Sequence, residues 1–301
     1  MADRFLAIGE CMVEMSPRPG GLYALGFAGD TLNTAWYARR LLPPDWSVGY
    51  LTAIGADALS DRMEAFLRES GLDATHVARR ADRTVGAYLI ELREGERSFV
   101  YWRGQSAART LADDPAALEA ALSGARLIYF SGITLAILDP DARARLLAAV
   151  SAERGRGAAV AFDPNIRPRL WENAATMRAA IMAGAAVADI ALPSFVDEAA
   201  HFADASPEAT ADRYAAAGAR VVIVKNGAGE TLGRDETGEA RLPARPAKRV
   251  VDTTAAGDSF NAGALAALTT GYDLRAAMEK GAALARRVIG APGALVEPER
   301  S

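Results

Sequence analysis

A short polar stretch near the C-terminal end of the chain has residue types suited to moving a charged group. It runs from Asp252 to Ala262 and reads DTTAAGDSFNA. Apolar residues recur at helical spacing within and after it, at Phe260, Ala264, Leu265 and Leu268. The spacing predicts a helix that begins near Ala256 and carries Asp258 in its first turn.

The start of this helix is a candidate anion-binding site. The amides of Ala255, Ala256 and Gly257 would have no partners inside the helix and would point forward with the positive end of its dipole. A carboxylate at Asp258 beside such a site suits phosphoryl transfer, in which an attacking hydroxyl must lose its proton. An ordinary helix N-terminus with an acidic residue favoured by the dipole explains the same residues.

A second candidate turn lies near the N-terminus, in GFAGDTLNTAWYARRLL. Asp30 or Thr31 can cap a helix there. Gly29 lets a ligand approach the backbone closely because glycine has no Cβ, and Asn33 can present an amide from the first helical turn. A plain capped helix is the alternative interpretation.

The stretch GAYLIELREGERSFVYWRG predicts a β-hairpin with strands at 87–92 and 98–102 and a turn at 94–97. Residues two apart in a strand share a face, so Tyr88, Tyr101 and Arg103 would project together if the registers match. Aromatic rings and an arginine would suit a polyol that carries an acid group. A half-exposed hairpin of ordinary β-forming residues is the alternative.

Composition narrows the classes of function. The 301 residues are 50% hydrophobic and 24% charged, with a net charge of -4 and no block of basic residues. This argues against nucleic-acid and membrane partners and favours a small-molecule ligand. The single cysteine, Cys11, excludes an intrachain disulfide and a thiolate zinc cluster. Since no apolar run approaches the roughly 20 residues of a membrane span, a cytoplasmic protein is expected.

From Leu127 onward, strand-like and helix-like segments alternate. The alternation predicts a mainly parallel sheet covered by helices on both faces, with ligands at the carboxyl ends of the strands. Polar residues follow those strands: Asp163, Asn165, Arg167, Ser194, Asp197 and Lys225. No G-x-x-x-x-G-K-[ST] loop is present, so a nucleotide phosphate would have to be held by another turn.

Taken in order, these motifs resemble those of the PfkB, or ribokinase-like, carbohydrate kinase family. The resemblance covers nearly the whole chain and rests on GECMVEMS, GDTLNTAWYARRL, GERSFVYWR, SGITLAIL, PNIRPRLW and DTTAAGDSF. It implies an α/β fold, a ribokinase-like three-layer α/β/α sandwich with a mainly parallel central sheet and a small β-sheet lid. Residues 1–301 would form one domain, with the lid formed by about 11–30 and 85–105.

The resemblance also implies a reaction, in which ATP with Mg²⁺ phosphorylates a sugar hydroxyl. Its likeness to members that act on a keto-deoxy sugar acid implies 2-keto-3-deoxy-D-gluconate as acceptor, at C6, giving 2-keto-3-deoxy-6-phosphogluconate. Asp258 would be the general base, and the amides of 255–257 would stabilise the transferred group. A fructokinase, a ribokinase, a 2-keto-3-deoxygalactonate kinase and a non-catalytic sugar-binding regulator are the alternatives.

The family's pattern also assigns the sugar contacts. Sugar hydroxyls would contact Gly29, Asp30 and Asn33, and the pocket would be lined by Tyr88 and Tyr101. The carboxylate of the acid would be held by Arg103 and Arg167, because a guanidinium binds a planar anion in a bidentate manner and gains nothing from a neutral sugar.

ATP would be held by the amides of 255–257 and by residues at the strand ends and on the last helix: Asn165, Ser194, Lys225, Gly227, Gly229 and Ala282. For metals, Asp197 would act on Mg²⁺ through water, and Asp252 would lie near a monovalent cation such as K⁺. An exposed apolar face of the lid would suit association of two copies of the chain.

The chain departs from the broader family at three places. Ala255 replaces the first glycine of the common GAGD, which costs little if Ala255 keeps a negative φ. Ala28 replaces the first glycine of a GG pair, which weakens the expectation of close backbone approach there. Ser194 and Asp197 stand where many members have the Asn and Glu of an N-x-x-E motif that orders water around Mg²⁺.

Overall fold

The computed structural model describes residues 3–93 and 96–297. In chain order its strands are β1 (Arg4–Ile8), β2 (Met12–Arg18), β3 (Leu22–Ala28), β4 (Ser47–Gly55), β5 (Val77–Arg80), β6 (Gly86–Arg93), β7 (Glu96–Trp102), β8 (Leu127–Ser131), β9 (Ala159–Asp163), β10 (Ile190–Ala191), β11 (Val221–Val224), β12 (Thr231–Asp235) and β13 (Gly238–Leu242). Its α-helices are α1 (Asp30–Leu41), α2 (Ala58–Glu69), α3 (Pro115–Leu122), α4 (Gly132–Ile137), α5 (Pro140–Gly155), α6 (Ala174–Ala186), α7 (Phe195–Phe202), α8 (Pro207–Ala217), α9 (Ala256–Thr269) and α10 (Leu274–Val288).

Nine strands form the central sheet, in the order β13-β12-β11-β10-β9-β8-β1-β4-β5. The strands from β11 to β5 in this order all pair in parallel, whereas β12 is antiparallel to β11 and β13 is antiparallel to β12. Strand β1 pairs on both sides, so it lies inside the sheet as its apolar sequence predicts.

Alternate residues of β1 lie in two different core clusters. Leu6 and Ile8 pack in one, and Phe5 and Ala7 in the other. Since successive side chains of a strand point to opposite faces, each cluster covers one face of the sheet beneath its own layer of helices. The expected three-layer α/β/α architecture is therefore confirmed.

A separate four-stranded sheet, in the order β3-β2-β6-β7, forms the lid. Strands β2 and β6 are parallel, and the other two pairs are antiparallel. On one face Tyr88 and Ile90 pack with Ala294 and Ala255, so this face is turned toward the start of α9. The turn expected at 94–97 falls partly on residues 94 and 95, which lie outside the described residues.

Some elements are not evident from the sequence pattern. The hairpin β12–β13 and the short strand β5 border the central sheet and carry charged residues, so they lack a long apolar run. Helices α9 and α10 pack together at a point where Gly263 meets Gly281: a Cβ added to Gly263 would lie 2.8 Å from the Cα of Gly281. Within the described residues, no helix is long and apolar enough to cross a membrane.

Candidate active site

The turn before α9 has the predicted position, and one of its three amides is bonded to the preceding loop. The helix begins at Ala256, as the spacing indicates, and the Ser259 amide donates to the Ala255 carbonyl at 2.8 Å. The Ala256 amide has no partner inside the helix, as predicted, but it donates to the carbonyl of Thr253 in the preceding loop at 3.2 Å. In the part of the chain that the structure describes, the amides of Ala255 and Gly257 have no protein acceptor. They are the donors available to an anion.

Ala255 adopts a left-handed conformation, with φ 58° and ψ 16°. The condition under which this alanine would cost little, a negative φ, is therefore not met. The chain must reverse direction between the loop and the first helical turn, and a left-handed residue achieves this in one step. For an L-residue other than glycine this conformation costs roughly 1–2 kcal/mol, which explains why glycine suits the position.

Ala255→Gly is therefore expected to stabilise the protein. Relief of the left-handed strain outweighs the extra entropy of glycine in the unfolded chain, for a net gain of up to about 1 kcal/mol in the free energy of unfolding. Denaturant unfolding measures this. The matched control is Ala256→Gly, at a helical position, which should lose about 0.5–1 kcal/mol. Equal losses in both variants would contradict the strain at Ala255.

Asp258 lies half-buried in the first turn of α9. Its Oδ2 accepts a hydrogen bond of 2.8 Å from the Asn33 amide, and its carbonyl accepts one of 3.2 Å from the Thr34 hydroxyl. Burial, with the negative charge of Asp30 and a smaller contribution from Asp163, raises the pKa of Asp258 to about 8; the hydrogen bond from Asn33 and the nearby Lys225 oppose the rise. Such a carboxyl takes up a proton readily near neutral pH.

The start of α1 supplies the other side of the site. Its N-cap is Gly29, and neither Asp30 nor Thr31 caps the helix, so that prediction is wrong. The Asp30 carboxylate instead accepts a hydrogen bond of 2.9 Å from the Asn165 amide. A Cβ on Gly29 would collide with the Glu10 carbonyl oxygen, so only glycine fits there, whereas the adjacent Ala28 is accommodated in the lid core.

Three buried polar groups join the ends of β9 and β11 to α9. The Lys225 ammonium is 3.1 Å from Asp163 Oδ2 and 3.0 Å from Asn261 Oδ1. The Asn261 amide donates to the same Asp163 oxygen at 2.7 Å and to the Tyr129 hydroxyl at 3.1 Å. This group of residues, Asp163, Lys225 and Asn261, is called the lysine triad below. It lies at the strand ends, where parallel sheets bind ligands.

Two of the other predicted nucleotide contacts, Asn165 and Ser194, adjoin the triad. Asn165 lies two residues after Asp163 and has φ 33°. Its backbone amide donates to Asp163 Oδ1 at 3.1 Å. Ser194 immediately precedes α7, and its backbone pairs with that of Lys225 in an isolated parallel β-bridge. Gly227 has φ 54°, a conformation that favours glycine, and Gly229 lies in the same turn, close to Asn226. Ala282 is half-buried on α10 and packs against the core beneath α9.

Asp197 and Arg167 face each other across the strand ends, with Arg167 Nη1 4.0 Å from Asp197 Oδ2. The Arg167 side chain is 52% exposed. Burial raises the pKa of Asp197, with the negative charge of Asp163 adding to the rise and Arg167, His201 and Lys225 opposing it. Arg167 therefore has an accessible guanidinium beside the triad.

The lid brings the predicted aromatic residues together. Tyr88 and Tyr101 are directly opposite in the β6–β7 register, with ring centroids 5.8 Å apart, so they share a face as predicted. Tyr88 is buried and its hydroxyl donates to the Glu14 carboxylate, whereas Tyr101 is 51% exposed. An exposed ring at this position is available to a ligand.

Arg103 is held in an ion pair. Its guanidinium donates to the Glu10 carboxylate, and the two side chains are only 11% and 1% exposed. It also lies 5.9 Å from the centroid of the Tyr101 ring. A ligand carboxylate would therefore share this arginine with Glu10, whereas Arg167 is more open. Within the part of the chain that the structure describes, Arg103 and Arg167 share no hydrogen-bonding or ion-pair partner.

Asp252 organises the loop before α9. Its carboxylate accepts hydrogen bonds from the amides of Thr254 at 2.9 Å and Gly293 at 2.7 Å, and it is buried. The segment around Gly293 is thereby tied to the turn, and Tyr37 of α1 holds the same segment through a 2.8 Å bond to the Ala294 carbonyl. The C-terminal segment thus joins α1 to the α9 turn.

Comparison with known proteins decides the family. The model of the pfkB family carbohydrate kinases matches residues 4–300. The chain is 40% identical to the 2-dehydro-3-deoxygluconokinase of Dickeya dadantii (strain 3937), over 97% of this chain and 96% of that protein. The chain belongs to the pfkB family of carbohydrate kinases.

Solved structures agree with this carbohydrate kinase fold. A PfkB protein from Polaromonas sp. JS666 superposes with a TM-score of 0.85 and 28% identity, over 96% of both chains. A putative ribokinase II of E. coli in complex with ATP and Mg²⁺ also gives a TM-score of 0.85, at 22% identity, over 98% of this chain and 94% of that one. The latter likeness shows the fold alone.

Sequence reasoning missed several residues of this kinase site. Asn261 is three positions after Asp258, so both lie on one face of α9, and that spacing was an available signal. Glu10 and Glu14, the partners of Arg103 and Tyr88, gave no local signal, because strand pairing brings them there from 93 and 74 residues away.

Proposed function

We propose that this carbohydrate kinase phosphorylates the C6 hydroxyl of 2-keto-3-deoxy-D-gluconate, also named 2-dehydro-3-deoxy-D-gluconate, with ATP as donor. The observation that carries the proposal is the Asp258 carboxylate beside the unpartnered amides of Ala255 and Gly257. The 40% identity to a kinase named for this acid supports the choice of substrate. The product is 2-keto-3-deoxy-6-phosphogluconate.

Asp258 is the general base in this proposal. As the C6 oxygen forms a bond to the γ-phosphorus, its proton passes to the Asp258 carboxylate, and the bond from phosphorus to the oxygen retained by ADP breaks. Asn33 holds Asp258 Oδ2 at 2.8 Å, which leaves Oδ1 for the sugar hydroxyl. The Ala255 and Gly257 amides, at the N-terminus of α9, stabilise charge on the transferred group. Ala256 lines the turn but its amide is engaged.

The strand-end carboxylates are suited to Mg²⁺ held together with a nucleotide. Within the described residues, no three His, Cys, Asp or Glu side chains are grouped to hold a metal ion. Mg²⁺ in kinases needs no such cage, because one or two carboxylates, phosphate oxygens and water complete its shell. Asp197 is half-buried, and its burial, with a smaller contribution from the negative charge of Asp163, raises its pKa, so a bound cation would favour its charged form. When bound, the ion supplies positive charge to the phosphates.

The remaining assignments are proposed from the positions of the side chains around Asp258 and the strand ends. Gly29, Asp30 and Asn33 border Asp258 and would contact sugar hydroxyls, and Tyr88 and Tyr101 form the wall contributed by the lid. Arg167 would bind the sugar carboxylate through its open guanidinium, with Arg103 as a second donor already oriented by Glu10. ATP contacts are proposed for Asn165, Ser194, Lys225, Gly227, Gly229 and Ala282.

The proposed base predicts an unusual pH dependence. Because the pKa of Asp258 is raised to about 8, kcat/KM should rise with pH and level off only above that value. An ordinary aspartate, with a pKa of about 3.9, would give a flat profile across the neutral range. The measurement uses Mg²⁺ in excess, so that the nucleotide phosphate titrates below the range. A flat profile from pH 5 to about 9 would count against the raised pKa.

The substrate assignment is tested by release of ADP from ATP with a panel of purified acceptors. The panel contains 2-keto-3-deoxygluconate, its galactonate epimer, fructose and ribose. The expected result is the highest kcat/KM for 2-keto-3-deoxygluconate. If fructose or ribose is turned over faster by a wide margin, the assignment fails in favour of fructokinase or ribokinase, and if no acceptor releases ADP, a sugar-binding regulator is favoured.

Two further properties are proposed with this function. Exposed apolar side chains of the lid, Leu22, Tyr23, Leu25, Val100 and Trp102, suit association of two copies of the chain. Light scattering should give the mass of a dimer, and a monomer at every concentration would contradict this.

Asp252 would influence a monovalent cation site, so activity in K⁺ should exceed activity in tetramethylammonium.

A further inference from the structure

The Lys225 ammonium lies where the lysine triad meets the anion turn. An ammonium has three N–H donors. Asp163 and Asn261 take two of them, at 3.1 and 3.0 Å. The side chain is only 13% exposed, and it lies at the end of β11, on the ligand-binding edge of the sheet.

The Lys225 ammonium also lies close to the α9 turn. A Cβ built on Gly257 would have a single heavy atom within 4 Å, apart from its chain neighbours and its own helix, and that atom is Lys225 Nζ at 3.7 Å. Gly257 carries one of the two unpartnered amides of the turn. An anion bound at this amide would therefore lie beside a positive charge that is already fixed in position.

The hydrogen bonds of the lysine triad hold the Lys225 ammonium in one position. Asp163 is 4% exposed and Asn261 is fully buried, and a 2.7 Å hydrogen bond joins them to each other as well as to Lys225. The Tyr129 hydroxyl contacts the Asn261 amide on its far side and accepts a 3.3 Å hydrogen bond from Thr34 on α1. An oriented charge that needs no rearrangement during the reaction is what stabilises a transition state.

We infer that Lys225 is a catalytic residue that stabilises the transferred phosphoryl group in the transition state, and that Asn261 and Asp163 are positioning residues that aim its ammonium at the α9 turn. The inference rests on the proposed phosphoryl transfer and gives Lys225 a role beyond contact with bound ATP. Lys225 takes no part in the proton transfer of the proposal, because the proton of the sugar hydroxyl goes to Asp258. Its attraction strengthens as charge develops on the oxygens of the transferred group.

The competing interpretation is that Lys225 only neutralises the buried Asp163. The two interpretations differ in whether Lys225 binds the transition state of phosphoryl transfer more strongly than it binds ADP. A merely structural ion pair affects stability and treats ADP and a transition-state mimic alike. A transition-state contact makes the affinity for the mimic depend on Lys225 more steeply than the affinity for ADP.

The experiment compares wild type with Lys225→Met in the binding of ADP with Mg²⁺ and the best acceptor of the panel, with and without aluminium fluoride. In wild type, aluminium fluoride should tighten the apparent binding of ADP by about 10²-fold or more. Lys225→Met should lose most of that gain while its affinity for ADP alone changes by less than about threefold, and its kcat should fall about 10²- to 10³-fold. Lys248→Met, at an exposed lysine, is the matched control and should leave both measurements unchanged.

The positioning role of Asn261 is tested by non-additivity. Asn261→Ala should lower kcat about tenfold, and it should cause no further loss in the background of Lys225→Met, because it acts through that lysine. If Lys225→Met leaves Asp163 unpaired and the protein unfolds, the double variant Lys225→Met with Asp163→Asn restores neutrality, and it should show the same loss of the aluminium fluoride gain.

The inference is overturned if the lysine variants keep the aluminium fluoride gain, if the losses of Asn261→Ala and Lys225→Met multiply, or if wild type itself gains nothing from aluminium fluoride. Failure of the sugar acid in the acceptor panel is a separate result. It would overturn the proposed substrate and leave the role of Lys225 to be decided with the acceptor that does react.

Discussion

Asp258→Asn is expected to lower kcat by more than about 10⁴-fold, beyond the 10²- to 10⁴-fold of a general base alone, because the orientation of the hydroxyl is lost with the base. The amide oxygen of the new side chain can still accept the hydrogen bond from Asn33, so the fold should persist. Steady-state release of ADP with the sugar acid measures the loss. A variant with near-normal turnover would contradict the mechanism.

The same substitution is expected to stabilise the folded protein above neutral pH. The pKa of Asp258 is about 8 when folded, whereas an unfolded aspartate has a pKa of about 3.9. The folded state thus binds this proton more tightly, so the stability of wild type falls as pH rises from about 4 through about 8. Asparagine removes that loss. The difference between the two pKa values corresponds to a gain of several kcal/mol at pH 8 and of about 1–2 kcal/mol at pH 5, so Tm should rise at both pH values and by more at pH 8.

Calorimetry at the two pH values checks this second effect, and Asp45→Asn, at an exposed aspartate, is the control that should change neither Tm nor turnover. If Asp258→Asn is inactive and also less stable than wild type at pH 8, the Asp258 carboxylate stabilises the fold, and its negative charge does not destabilise the folded state. Loss of turnover together with a gain in stability separates a functional residue from a structural one.

Arg167→Leu is expected to raise KM for the sugar acid by about 10- to 100-fold, the range for loss of a charge-assisted bidentate contact. KM for ATP should change by much less. The guanidinium is 52% exposed, and its nearest acidic partner, Asp197, is 4.0 Å away, so it is open to a ligand carboxylate. Initial rates at varied acid and varied ATP give the two constants.

Arg169→Leu is the matched control for this prediction, because Arg169 is exposed in the same short turn and has no proposed role. Its constants should match those of wild type. Equal increases in both KM values of Arg167→Leu would contradict a carboxylate contact, and they would indicate that Arg167 acts through Asp197 on the nucleotide side of the site.

Much of the fold was predictable because its signals are local. The alternation of apolar strands and helices after Leu127 predicts the parallel sheet, and the periodicity after Asp252 places the start of α9 at Ala256, where the structure has it. The position of Asp258 follows from that start. Side chains alternate between the two faces of each strand, so Tyr88 and Tyr101 share a face when β6 and β7 pair with these residues opposite each other, as they do.

The features that the sequence did not predict depend on contacts between distant segments. The left-handed φ of Ala255 and the Ala256 hydrogen bond are set by how the loop enters α9, which helical periodicity does not encode. Glu10 reaches Arg103 only through the approach of the lid to β1. Asp30 does not cap α1 because Asn165, 135 residues away, takes its carboxylate.

The most direct test of the central claim is the ³¹P spectrum of a reaction of the wild-type protein with ATP, Mg²⁺ and 2-keto-3-deoxygluconate. The proposal predicts ADP and one new phosphomonoester in equal amounts, with the phosphorus coupled to the two protons of the C6 methylene group. Inorganic phosphate in place of an ester would contradict transfer to the sugar. An ester coupled to a single proton would place the phosphate on a secondary hydroxyl and contradict the proposed position of C6 at Asp258.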